Sequence, residues 1–199
     1  MERFHRLEGV AAPFEQGNID TDQIVPARFL KKQRRSGFGQ YLFHDLRFQA
    51  DGADKADFIL NHAPYRSAQV IVAGPNFGCG SSREAAVWAL FDYGFRAVIA
   101  PSFGDIFFNN SHKNGLLPIV LPTEVVTNLL ACLRAKPGLI VKINLPDQTA
   151  TLPDGVMLRF EIDAFAKECM VAGLDELGYT LSRLDEIKRF ESAYKAENS

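Results

Sequence analysis

Ser81, Ser82 and Arg83 follow two closely spaced glycines in the run Gly78-Cys79-Gly80-Ser81-Ser82-Arg83-Glu84. Glycines let a ligand approach the backbone closely, and a helix starting just beyond them points its unpaired N–H groups at that ligand. Such a corner stabilises negative charge, either an anion or a serine alkoxide, because a helix N-terminus is the positive end of its dipole. Ser81 or Ser82 is expected to cap the helix, and Arg83 adds a cation. Serine ahead of a helix is also an ordinary cap with no chemistry attached; the two glycines and the arginine set this run apart. A phosphate-binding loop is the competing reading, but the run lacks the Lys-Ser/Thr ending of a P-loop and the third glycine of a dinucleotide fingerprint. Cys79 lies inside the turn, where a thiol near a helix N-terminus is reactive and where a small side chain also simply fits.

The elements that must position this corner are legible around it. Ala68 to Ala73 is an uncharged, β-branched run of the kind that forms a strand buried on both faces, and the stretch from Arg83 to Tyr93 is helical and stops at Gly94. Strand 68–73, helix 82–93, strand 96–100, a short helix near 104–110, strand 117–121 and helix 123–135 alternate, which predicts a parallel core with right-handed crossovers. Thr123, followed by Glu124, is expected to cap the helix that Pro137-Gly138 ends. Beyond it the pattern turns antiparallel: 139–145, then 149–152 leading through Pro153-Asp154-Gly155 into 156–162 as a hairpin. A helix is expected over 164–172 and an amphipathic one over 182–195, with Leu184, Ile187, Phe190 and Tyr194 on one face and a frayed end over 196–199. The first sixty residues read as loop-rich, with Phe4 to Phe14 an edge strand, 16–23 polar, and a basic loop through Arg35. With no internal repeat and no linker, residues 1–199 are expected to form a single domain: loop-rich 1–60, an α/β core over about 65–175 and a C-terminal helix over about 182–195.

Composition narrows the function classes. A 199-residue chain with 47% hydrophobic residues can bury one good core. A net charge of -2 gives no global basic field, which argues against nucleic acid as a partner, although Lys31-Lys32-Gln33-Arg34-Arg35 concentrates positive charge locally. No secretory signal and no bilayer-length apolar stretch is visible, so the expectation is a cytoplasmic protein without membrane contact. Cys79, Cys132 and Cys169 are widely spaced, with no Cys-x-x-Cys pair and no histidine at a zinc-like spacing, so this chain is expected to build no metal site. Cys132 and Cys169 fall on helical apolar patterns and are expected in the core.

Three separated motifs together resemble one family. Asn18-Ile19-Asp20-Thr21-Asp22-Gln23-Ile24-Val25-Pro26-Ala27-Arg28-Phe29-Leu30, Asn76-Phe77-Gly78-Cys79-Gly80-Ser81-Ser82-Arg83-Glu84 and Pro101-Ser102-Phe103-Gly104-Asp105-Ile106-Phe107 match, in order and spacing, the small subunits of bacterial 3-isopropylmalate dehydratase. Ile162-Asp163-Ala164-Phe165 and Gly173-Leu174-Asp175 extend the resemblance over essentially the whole chain. That family is similar to the swivelling domain of aconitase, which implies an α/β fold of β/β/α type with a mixed, mainly parallel central sheet and antiparallel C-terminal strands. The implied activity is a hydro-lyase of leucine biosynthesis that interconverts 2-isopropylmalate and 3-isopropylmalate through isopropylmaleate. It requires a large subunit, in a heterodimer or higher assembly, whose three cysteines hold a 4Fe-4S cluster that acts as the Lewis acid; this chain holds none of it.

The resemblance also implies roles. Ser81 corresponds to the general base of aconitase, supported by the Ser82 N–H and by Arg83. Asp22 matches a carboxylate placed near the cluster and paired with a large-subunit histidine; by its local chemistry it is equally a turn residue in a polar loop. Arg28 is a candidate for a substrate carboxylate, with Lys31, Lys32, Arg34 or Arg35 as alternatives. The loop from Arg28 to Phe38 is similar to the family's substrate-discriminating segment, in which Phe29 and Leu30 would meet the isopropyl group or simply pack. The family usually has His after Ser-Ser-Arg-Glu, where this chain has Ala85, and often Pro where it has Val87. That departure keeps open a related dicarboxylate hydratase acting on citraconate, maleate or dimethylmaleate. From another class, a non-catalytic anion- or nucleotide-binding domain would use the same corner.

Overall fold

Residues 1–34 and 37–197 are described in the computed structural model; Arg35 and Ser36 of the basic loop, and Asn198 and Ser199 of the expected frayed end, lie outside the described residues. In chain order the elements are β1 (Arg6–Phe14), the short helices α1 (Thr21–Ile24) and α2 (His44–Arg47), then β2 (Val70–Ala73), α3 (Glu84–Tyr93), β3 (Ala97–Ala100), α4 (Asp105–Lys113), β4 (Leu117–Val120) and α5 (Thr123–Ala135). The chain continues through β5 (Ile140–Asn144), β6 (Thr149–Thr151) and β7 (Met157–Arg159) to α6 (Ala164–Ala172), α7 (Glu176–Ser182) and α8 (Leu184–Glu197). Single 3-10 turns supply most of the remaining order before β2.

All seven strands join one mixed sheet in the order β4-β3-β2-β1-β5-β6-β7. β1 to β4 run parallel, whereas β5 lies antiparallel to β1 and is followed by two further antiparallel neighbours. Every residue of β2 and β3 is buried, as their unbroken apolar sequence requires in a sheet covered on both faces. Alternate residues feed two cores. Ile71 and Val98 pack with Phe38, Phe43, Phe77 and Leu90 on the α3 side; Val70, Val72, Ile99 and Ile119 pack with Val126, Leu129 and Met170 on the α5 and α6 side. Each such side chain contributes roughly 1.5–3 kcal/mol on burial. Pro118 is accommodated because β4 is an edge strand, where a missing N–H costs no ladder bond on the open side.

Several expectations need correction. Residues 4–14 do not form an edge strand: β1 is the middle strand of the sheet, paired with β2 on one side and β5 on the other. The helix after the glycine corner begins at Glu84 rather than Ser82, and its N-cap is Arg83, with no side-chain cap. Pro122, not Thr123, occupies the N-cap of α5. Helix α7, capped by Asp175 through the Gly178 N–H at 2.7 Å, was not anticipated. Cys169 is buried as expected, but Cys132 is exposed. The stripe on α8 is amphipathic without being packed down: Leu184 and Tyr194 are exposed, and Phe190 is 71% exposed.

Candidate active site

β1, β2 and β3 are parallel, so the segments that leave their C-terminal ends emerge on one rim of the sheet, the usual place for a ligand site in an open α/β sheet. Those segments carry the three motifs. Backbone bonds stitch the first to the second: Asn18 N–H to Pro75 O at 2.8 Å, Gly78 N–H to Ile19 O at 2.8 Å and Thr21 N–H to Cys79 O at 2.9 Å. The second is tied to the third by Phe77 N–H to Ser102 O at 3.1 Å, Gly104 N–H to Phe77 O at 3.0 Å and Asn76 N–H to Ser102 Oγ at 2.9 Å. Gly78 is required here: its φ is +72°, and a Cβ would lie 2.2 Å from Phe107 Cγ on α4.

The side chains follow from this scaffold. Asp20 caps α1 by accepting from the Asp22 and Gln23 N–H groups, while Gln23 Oε1 accepts from Asp20 N–H at 3.0 Å, a reciprocal capping box. Because Asp20 caps, Asp22 is left free to turn outward. Its Oδ1 accepts from Ala27 N–H at 2.9 Å and forms an ion pair with Arg83 Nη1, and the Arg83 guanidinium holds the Asp22 carboxyl below its ordinary range. Arg83 is largely buried, 15% exposed, and the same Nη1 reaches Val25 O at 3.4 Å. Ser81 and Ser82 are exposed, and among the described residues neither hydroxyl has a hydrogen-bond partner. The Ser81 backbone is nevertheless fixed, since buried Thr21 donates its hydroxyl to Ser81 O at 2.8 Å. Thr21 is a positioning residue that sequence reasoning missed; its signal, a threonine between two aspartates, reads only as a polar loop.

Asp22 and Arg83 are thus brought together beside Ser81. Arg28 is not joined to them: both its Nη groups engage Asp45, and it stacks 4.5 Å over Phe29. Arg28 and His44 together lower the Asp45 pKa to about 2, Arg28 being the main cause. Asp22, Arg28 and Asp45 line one open groove of about 430 Å³, with Gln23, Pro26 and Leu46. Phe29 stacks on Tyr41 at 4.4 Å between ring centroids, while Leu30 is exposed. Arg34 is docked on α3, Nη2 to Asp92 Oδ1 at 3.2 Å. Lys31 and Lys32 are exposed. Ala85 is 6% exposed and packs in the core beneath α3, so this departure from the family pattern falls on a packing position rather than on the groove. The described residues contain no group of three His, Cys, Asp or Glu side chains suited to a metal ion, so among them no ligand set fits an iron–sulfur cluster. No helix among them is long and apolar enough to cross a membrane.

The aconitase C-terminal domain family matches residues 1–124. The 3-isopropylmalate dehydratase small subunit of Paramagnetospirillum magneticum is 52% identical over 198 residues, covering 100% of this chain and 98% of its own. That of Jannaschia sp. is 52% identical, covering 96% of each chain. A crystal structure titled 3-isopropylmalate dehydratase, from Methanocaldococcus jannaschii, superposes with a TM-score of 0.67 at 29% identity, covering 92% of this chain and 99% of that one. With the three motifs assembled on one rim of a mixed sheet, the chain belongs to the 3-isopropylmalate dehydratase small subunits, a branch of the aconitase C-terminal domain family.

Proposed function

We propose that this chain, as one swivelling domain, supplies the base side of an isopropylmalate isomerase active site in the cytoplasm, and that a large subunit carries the 4Fe-4S cluster and completes the site. The observation that carries the reading is the meeting of Arg83 and Asp22, 61 positions apart in sequence, beside Ser81, whose carbonyl is held by Thr21. Ser81 Oγ, as alkoxide, takes the proton from the carbon next to the one bearing hydroxyl; the C–H electron pair becomes the double bond of isopropylmaleate as the C–O bond breaks, the hydroxide leaves as water after taking a proton on the large-subunit side, and water adds back with hydrogen and hydroxyl exchanged between the two carbons. The Ser82 N–H and the positive end of α3 favour the ionised serine. Arg83, neutralised in part by Asp22, fixes the corner and keeps the local charge balanced. Substrate carboxylate is met by a cation of the 28–34 segment: Lys31 or Lys32 directly, or Arg28 once it exchanges Asp45 for substrate. Phe29 and Leu30 border the isopropyl group.

Reconstitution with candidate large subunits under anaerobic conditions, assayed on a panel of 2-hydroxy dicarboxylates, tests the proposal. Isopropylmalate is expected to be the best substrate. Faster turnover of citraconate or maleate hydration products would overturn it.

A further inference from the structure

Trp88, the one tryptophan of the chain, donates its indole N–H to Asn114 Oδ1 at 3.0 Å. The same oxygen accepts from Arg34 Nη1 at 3.2 Å, while Asn114 Nδ2 donates to Glu84 Oε1 and to Asn110 O, each at 2.9 Å. Indole only donates and carboxylate only accepts, so the amide orientation is determined by its partners, and both donors and both lone-pair sites are filled. The partners come from separate places. Arg34 belongs to the loop after α1, Glu84 is the first residue of α3 and follows Arg83, and Trp88 lies one turn further along. Asn114 itself is the C-cap of α4, the helix whose other end presses Phe107 and Gly104 against Gly78 and Cys79. Arg34 is fastened a second time, with Nη2 on Asp92 Oδ1 and its guanidinium 5.5 Å over the Trp88 ring.

We propose that Asn114 is a positioning residue for the Ser81 to Arg83 corner: its carboxamide ties the loop at Arg34 and the C-terminus of α4 to the first turn of α3, fixing the direction in which that helix presents the corner. The inference rests on the proposed function for what the corner does. Asn114 touches no reacting atom in this account; it acts through Glu84 and α3.

Asn114→Asp tests it. The substitution keeps the shape and the acceptors for Trp88 and Arg34, but replaces both donors with lone pairs, one set facing the Glu84 carboxylate. Adding Glu84→Gln to the same chain supplies an amide donor and rebuilds that contact with its polarity reversed. In the complex reconstituted with the large subunit, Asn114→Asp should lower kcat about tenfold with KM within about twofold, and the double variant should recover to within about threefold of the unaltered complex. Trp88 emission gives a readout independent of turnover: it should shift in the single variant and return in the double. A merely structural asparagine would lower melting temperature and yield of complex while leaving kcat per mole of complex unchanged. Wild-type kcat in the single variant, or a double variant as impaired as the single, overturns the proposal. If the unaltered complex does not turn over isopropylmalate, the proposed function fails, and the emission series alone decides whether Asn114 ties α3: an unshifted spectrum refutes it.

Discussion

If Ser81 is the base proposed above, replacing it by alanine should separate catalysis from stability more cleanly than the position of the serine suggests. Loss of an N-cap serine ordinarily costs about 0.5–2 kcal/mol, but Arg83 is the cap of α3 and its side chain makes no cap bond. The Ser81 hydroxyl has no partner among the described residues, and the contact that holds this residue, from Thr21 Oγ1, is made to its backbone carbonyl and survives the substitution. The stability cost should therefore stay within about 0.5 kcal/mol, the range of an exposed change away from any special feature. The loss of a positioned general base costs about 10²–10⁴ in rate, or about 3–5 kcal/mol in the barrier. Steady-state kcat of the reconstituted complex, with urea unfolding of the isolated chain as control, measures both quantities on one preparation. Cys79→Ser, in the same corner, should remain within a few-fold of the unaltered enzyme. The reasoning is refuted if Ser81→Ala retains near-normal kcat while Cys79→Ser is inactive, because the reactive group would then be the thiol.

Arg83→Lys keeps a charge beside Asp22 but loses the planar guanidinium whose Nη1 donates to both Asp22 and Val25 O; kcat should fall about tenfold or more with little change in melting temperature, and full activity would show that charge alone suffices. Gly78→Ala should cost about 2–5 kcal/mol, since it joins left-handed strain to a clash with Phe107, whereas Gly80→Ala, with φ +88° but no atom nearer than 3.5 Å to its Cβ, should cost only about 1–2; equal urea midpoints for the two would remove Phe107 from the explanation. Burial pushes the His112 imidazole from its ordinary 6.5 down to about 4, so the folded chain holds it neutral while the unfolded chain takes up a proton. Stability should fall by about 3 kcal/mol as pH drops from 6.5 to 4 and level off below, and His112→Leu should flatten that limb in urea titrations; an unchanged slope would mean that His112 finds a partner in solution.

The parallel half of the sheet was legible because its strands advertise themselves locally. Four-residue apolar runs such as Val70–Ala73 and Ala97–Ala100 have no solvent face to conceal them, and α5 and α6 lie where the helical stretches over 123–135 and 164–172 place them. β1 was misplaced at an edge because strand order depends on partners far along the chain. Its polar start, Arg6 to Glu8, records a face open to solvent in the antiparallel half and says nothing of two filled edges. Ser81 failed as a cap for a physical reason: an N-cap carbonyl must turn into the helix, and that of Ser81 is turned toward Thr21. Ser81, Arg83 and Asp22 could be named as candidates from the motifs, but the Asp22 to Arg83 pair could not, since it spans 61 positions. The engagement of Arg28 by Asp45 was likewise invisible, because a guanidinium suited to substrate carboxylate is equally suited to a carboxylate of its own chain.

The central place of β1 bears on how the chain is made. On a ribosome it emerges before the other six strands of its sheet, yet Ala11 waits for Val70 and Arg6 waits for Asn144. The β2 to β4 layer can gather while synthesis proceeds, giving β1 one neighbour. Its other edge stays bare until the residues after the Pro137-Gly138 turn are translated, at roughly 5–20 residues per second. A nascent chain halted at that turn would display Arg6 to Val10 as an open strand edge, the kind of surface on which unfinished copies pair with each other. A translation pause in this window would expose a pairing edge that β5 fills in the finished sheet.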